Sequence, residues 1–465
     1  MMNASQDTDQ KLLSLLQSND ESNVDLAFQL CVGLQNQYSL EVSQELRRQV
    51  LRCIKYNLET HHVKNLTHLH LDYQGFSTLP EELGICKALV VLNLEKNYLQ
   101  QLPDWMGQLK ALKILNLGNN DFTTLPSALF RLPKLEKLWL YSNQVRHLEH
   151  IEQLHCLKQL GLTYNKIEHL PPSIGRLRHL KSLFLSQNRL QALPESIGQL
   201  HQLEVLKLDG NQIKQLPFSV GQLTHLKEFT ALFNHITHLP SEIGQLKALE
   251  NLEMNGNRLR TLPATISGLT ALVNLQLQDN NLTDLDTSIG QLACLHSLHL
   301  GDNSIKTLPA SIGQLQNLQV LDVSSNYLKG FPAEVRLLSN LQQLVLHENP
   351  DVDLEQVCVN LIPLQKLTKL VLSNNQLSIL PTGLTQLTSL QTLALNFNRL
   401  TQLSADVAQL TELQELDLSH NYLEDLPESI QQLTNLQELV LWGNPIDKAT
   451  QQKIKQWLPF CEVKV

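Results

Sequence analysis

From Leu66 onward, leucine returns to one place in the chain at a near-constant step. The series runs through Leu89, Leu112, Leu135, Leu157, Leu180 and Leu203, continues through Leu226, Leu249, Leu272, Leu295, Leu318 and Leu341, and resumes at Leu367, Leu390, Leu413 and Leu436. Each unit reads L-x-x-L-x-L-x-x-N-x-L-x-x-L-P-x-x-I-G-x-L-x-x, most cleanly over residues 180–202. The L-x-L step has the two-residue period of a strand, so two leucines point into a core and the residue between them points out. Proline after a later leucine ends that half of the unit, because it fixes its own φ and cannot continue a ladder. Ile-Gly-x-Leu predicts a short helical or 3₁₀ return with glycine at its end. A single unit cannot bury its own leucines, so the pattern predicts 17 units stacked around one continuous column.

The ninth position of the unit is asparagine at Asn97, Asn120, Asn143, Asn165, Asn188 and Asn211, and in every later unit to Asn444; only Gln74 in the first departs. A carboxamide both donates and accepts. In the turn after each strand it can satisfy backbone groups the ladder leaves open, so these residues are expected to form a buried structural ladder.

Residues 1–62 do not repeat and read as a helical cap over the exposed end of the leucine column. Ser22 and Asp25 resemble a capping box ahead of an apolar stripe of Val24, Ala27, Phe28, Cys31 and Leu34. A further helix is predicted after Ser39, with Leu46, Val50, Ile54 and Leu58 at a spacing of four. The repeats occupy 63–444, and 445–465 carry a capping helix with Ile454, Trp457 and Leu458 on one face. Two units break the period. The unit at 135–156 is one residue shorter than the rest and lacks Leu-Pro; the unit at 341–366 is three residues longer and predicts a longer helix and a local change of curvature.

These motifs resemble the leucine-rich repeat superfamily over about residues 66–444, in its typical 23-residue intracellular subtype with L-P-x-x-I-G-x-L. Ras-pathway scaffold proteins, plant intracellular Ras-group-related proteins and many bacterial cytoplasmic repeat proteins share that subtype. The resemblance implies an α/β fold: a curved solenoid with a parallel sheet on its concave face and 3₁₀ turns or short helices on its convex face. It also implies a protein-binding role. The N-terminal helices are similar to those of bacterial cytoplasmic members, which points to a bacterial source.

Composition narrows the function. The chain has 465 residues, a formal net charge of −9 and a pI of about 6.0, which argues against nucleic acid as a partner. No apolar run is long enough for a membrane span, and the first residues lack the basic and apolar regions of a secretory signal. The seven cysteines are odd in number and scattered, as expected in a reducing compartment, so a cytoplasmic location is expected. No nucleotide-loop, zinc-protease or hydrolase motif occurs. The reading is therefore a monomeric, non-enzymatic scaffold without cofactor. It would bind an unidentified protein on the concave face, in intracellular signalling.

Two constellations stand out from the repeat. His68, His70 and Asp72 alternate on the first strand with Glu95 beside them on the next, and two imidazoles with two carboxylates are possible ligands of a transition metal. A metal-dependent site there, or a secreted effector acting on a host protein, is the alternative function. The second constellation is aromatic. Trp139, Tyr141, Tyr164 and Phe184 fall at outward strand or post-strand positions, with Gly161 between Trp139 and Phe184. The missing side chain predicts a slot of two strand spacings, roughly 9.6 Å, open to an apolar group of a partner. Leu232 and Phe233 extend the apolar character.

Overall fold

Each L-x-L step forms a three-residue parallel strand in the computed structural model, which describes residues 2–35 and 37–465. The chain divides into two units, residues 1–189 and 190–465. The first holds helices α1 (Met2–Leu16), α2 (Glu21–Gly33), α3 (Leu40–Arg47), α4 (Val50–Lys55) and α5 (Thr60–Lys64). Six strands follow: β1 (His68–His70), β2 (Val91–Asn93), β3 (Ile114–Asn116), β4 (Lys137–Trp139), β5 (Gln159–Gly161) and β6 (Ser182–Phe184). The second unit carries twelve strands among its described residues, from Val205–Lys207 to Glu462–Lys464, and helices α6 (Leu354–Leu361) and α7 (Lys448–Trp457).

Register follows the leucines. Leu69 pairs with Leu92, Leu92 with Leu115, and Leu252 with Leu275, so like residues stack on like. In most strands the central residue is buried and its neighbours are half-exposed, as in β2 and Val205–Lys207 and as the two-residue period requires. Leucines of both halves of the unit, such as Leu206, Leu208, Leu216 and Leu223, are buried, each contributing about 1.5–3 kcal/mol of apolar burial. Proline sits at the entrance to most 3₁₀ turns, with φ −73° at Pro194 and −66° at Pro240.

The asparagine ladder forms as expected, and each member spans two repeats. Asn120 Oδ1 accepts from the Leu99 N–H (2.9 Å), while its Nδ2 donates to the carbonyls of Leu94 (2.9 Å) and Leu117 (3.2 Å). Asn97, Asn143, Asn165, Asn188 and Asn211 are buried in the same way, and each receives a backbone N–H on Oδ1. The residue just before the asparagine adopts left-handed backbone, for example Lys96 (φ 54°), Tyr164 (56°), Phe233 (53°) and Phe397 (56°). Composition at that position is mixed, so its conformation was not legible.

The recurrent Ile-Gly has a different cause from helix termination. Gly198 is the fourth residue of the Glu195–Gln199 turn and does not have positive φ. A Cβ there would lie 2.5 Å from the Ser219 carbonyl oxygen, so glycine is needed because successive turns touch at the backbone.

The caps also differ in detail. Asp20, not Ser22, caps α2, its carboxylate accepting from the Ser22 N–H (2.9 Å). Ser39 caps α3 as predicted, but the helix breaks at Arg48–Gln49 before α4, so Leu46 and Val50 belong to separate helices. Asp447 caps α7, and Ile454 is buried beneath it. The long unit at 341–366 contains α6, as expected, and its strands remain paired, Leu344 opposite Leu370. The short unit at 135–156 trims its 3₁₀ turn to Ile151–Gln153.

Candidate partner-binding face

In the first unit the outward strand residues place Asn116, Trp139, Gly161 and Phe184 in one cross-strand row. Trp139 lies over Gly161, where an added Cβ would overlap its six-membered ring. Its ring packs against Phe184 with centroids 5.7 Å apart and planes tilted by 36°. The predicted open slot is therefore closed: the two rings lean together across the glycine and fill it. Tyr141 lies the other way, over Gly118 of the preceding repeat. Its hydroxyl reaches Asn116 and Glu95; burial and the Glu95 carboxylate push its pKa up from the ordinary phenol range, against the Asn116 hydrogen bond. Tyr164 is 60% exposed on its left-handed backbone. The outcome is a low aromatic ridge with a polar flank.

Gly118 belongs to this surface and was missed. The signal was available: a glycine one repeat away from an exposed aromatic at an outward position. The same rule operates in the second unit, where Phe233, 63% exposed beside the half-buried Leu232, covers Gly256. Near the end of that unit Phe397 stacks on His420 at 4.3 Å and 9°, and His420 covers Gly443.

The metal reading is not supported. Among the described residues no group of three or more His, Cys, Asp or Glu is arranged to hold a metal ion. His68 and His70 are exposed on β1, but their carboxylate neighbours are engaged by amides. Asn93 Nδ2 donates to Asp72 (3.2 Å), and Asn116 and Asn119 donate to Glu95 (3.1 and 3.3 Å). His70 also lines a groove with Arg48 and Arg52 of the cap, which are paired with Glu45 and with Glu21 and Asp25, respectively. Strand adjacency brought the four residues near one another; the amide network orients the two carboxylates.

The strand face of the second unit is polar and extensively bonded. Thr230 Oγ1 donates to Asp209 (3.0 Å), and Lys207 pairs with Glu228 (2.6 Å). Asp322 accepts from Ser324 N–H and Oγ (3.0 and 2.6 Å) and from Gln278 Nε2 (3.2 Å), with His299 Nδ1 at 3.6 Å. Burial works against its ionisation, yet the His299 and Ser324 bonds prevail and hold its carboxyl below the usual range. A depressed folded pKa stabilises above the unfolded value and is lost as pH falls through the folded one. Asp322→Asn is therefore expected to flatten the loss of stability below about pH 4, read from urea midpoints across the acid range.

Stacked strand–asparagine-turn–3₁₀ units with an outward, partly aromatic strand face define a repeat scaffold. The family described as leucine-rich repeat region matches residues 141–234, 220–303 and 281–399, and that described as leucine rich repeat matches 64–122, 111–167 and 388–446. The chain belongs to the leucine-rich repeat family, whose fold is in general a scaffold for protein–protein interaction. A leucine-rich repeat protein of Leptospira interrogans is 35% identical, with a TM-score of 0.72 over 87% of this chain and 97% of that one. The plant peptide hormone receptor RGFR1, solved in complex with RGF2, is 26% identical (TM-score 0.65; 82% and 71%). The ectodomain of the Arabidopsis receptor kinase HAESA, in complex with an N-terminally extended IDA peptide hormone, is 26% identical (0.57; 79% and 68%). No curated protein matches the chain.

Proposed function

We propose that the chain is a non-catalytic scaffold that binds a protein partner on the strand face of its first unit, at Trp139, Tyr141, Tyr164 and Phe184, with Gly161 serving as the seat beneath the rings. Leu232 and Phe233 offer a further contact on the second unit. The observation that carries this is the Trp139–Phe184 pair, two large rings seated on a glycine and presented outward on a rigid sheet. Such rings are hot-spot material because their position costs no ordering on binding. The plant receptors named above, solved with peptide hormones, support a polypeptide as the ligand class. The reading includes a cytoplasmic location, which the seven free cysteines favour, and a signalling role.

A partner captured by crosslinking in the source organism is expected to bind Trp139→Ala/Phe184→Ala about 30-fold more weakly, the equivalent of ~2 kcal/mol at a hot spot. Circular dichroism should be unchanged, since both rings lie outside the leucine column. Undiminished binding by a folded double variant overturns the assignment.

A further inference from the structure

The two units present different charge on the same positions. Those positions are the outward strand residues and the two residues before each ladder asparagine. Over β1–β6 they hold two carboxylates and two lysines: Asp72, Glu95, Lys96 and Lys137. Over the eleven strands from Val205–Lys207 to Glu438–Val440 they hold ten carboxylates and only two lysines, Lys207 and Lys369. Lys207 is already spent on Glu228. The crowding is felt locally: burial first, then Asp209 and Glu228, raise the carboxyl pKa of Glu253 despite Lys207. Asp279, Asp302 and Glu348 stand exposed on left-handed turns.

This excess is not arranged for a metal, since no group of three or more ligating side chains converges among the described residues. It repels phosphate backbones and anionic lipid alike. Apolar groups accompany it. Val371, Ala394, Asp417 and Val440 share one cross-strand row. Beside that row stand Phe397, 53% exposed on its His420 stack, and Trp442, 55% exposed. A surface with spaced carboxylates and an aromatic step is complementary to a polypeptide that carries several cations and one apolar side chain.

We propose that the strand face of the second unit docks a lysine- or arginine-rich segment of a protein partner, with an apolar side chain of that segment seated on Phe397 and Trp442. The site lies in the other unit from the Trp139 cluster, and the reading above touches this strand face only at Leu232 and Phe233, not at Phe397 or Trp442. Charge complementarity selects the partner and sets its rate of arrival, and the aromatic step fixes its register.

The probes are fluorescein-labelled nonapeptides of eight lysines around a central tryptophan or glycine, with a glutamate counterpart, followed by anisotropy on the full chain. The lysine peptides are expected to bind at about 50 mM salt and to weaken as salt screens the face, while the glutamate peptide does not bind. Asp279→Asn/Asp302→Asn/Glu348→Gln should weaken binding at least about tenfold, and asparagine suits the left-handed backbone at 279 and 302. Glu412→Gln/Glu424→Gln/Glu428→Gln, exposed positions off the strand face, should change it by less than about twofold. Central tryptophan should strengthen binding about fivefold over glycine, a gain that Phe397→Ala/Trp442→Ala removes. Absence of binding, equal weakening by the two charge triples, or a tryptophan gain that survives loss of both rings would overturn the proposal. Trp139→Ala/Phe184→Ala should leave lysine-peptide binding intact, so the two sites fail separately.

Discussion

Asn257→Leu is expected to cost the second unit about 1–3 kcal/mol, because it leaves the buried Ile236 N–H without a partner and removes one of the two amide donors to each of two buried carbonyls. Asn257 Oδ1 accepts from the Ile236 N–H (3.0 Å), and its Nδ2 donates to the carbonyls of Ala231 (2.8 Å) and Met254 (2.9 Å). The side chain is buried. Leucine is close to asparagine in shape, so no cavity opens to admit water; the Ala231 and Met254 carbonyls keep the Asn234 and Asn280 amides, while the Ile236 N–H loses its acceptor. Because each repeat is stabilised by its neighbours, the loss should appear as faster hydrogen exchange at the Ile236 amide and the adjoining strands, and as a lower urea midpoint. Asn281→Leu, at an exposed position outside the ladder, should stay within about 0.5 kcal/mol. Equal effects of the two would mean that the ladder does not hold the stack.

The second large effect is expected on the opposite layer. Gly244 is the fourth residue of the Ser241–Gln245 turn, and a Cβ there would overlap the carbonyl oxygen of Thr265 and lie 2.9 Å from its carbon. The obstacle is backbone and cannot rotate away. Gly268 in turn would strike the backbone of Gly244, so both neighbours are already at contact distance. Gly244→Ala must push two turns apart and is expected to cost about 3 kcal/mol, the upper end for overpacking. Gly330→Ala meets nothing within 4 Å and should be neutral or slightly stabilising in the same unfolding experiment. A Gly244→Ala protein as stable as Gly330→Ala would show that the turns can slide without loss.

The fold was legible because one residue type carries one requirement, repeated. Leucine at a two-residue step can only be a strand with a buried side, and asparagine recurring in the turn can only be answering backbone. Gly244 and Gly198 were visible but misread, since their reason is a neighbour in the next repeat and no local turn rule refers to it. The aromatic surface was legible as a location and not as a shape. Trp139 and Phe184 face outward as alternation demands, but whether two rings stand apart or lean together depends on rotamers that a glycine between them leaves free. The His68–Asp72 group failed for a related reason: strand spacing places residues side by side, while Asn93, Asn116 and Asn119 decide where the carboxylates point. The break at Arg48–Gln49 and the left-handed residue before each asparagine had no compositional signature.

Short, regular and long units all keep leucine opposite leucine, at Leu138–Leu160, Leu252–Leu275 and Leu344–Leu370. The strand ladder acts as a ruler with one fixed graduation, and the opposite layer takes up any slack in chain length. Residues 350–353, which lead into α6, are therefore a natural place to splice foreign sequence. A short epitope or fluorophore-binding tag inserted there should leave the strand face in register, giving a labelled protein whose partner-binding surface is unaltered.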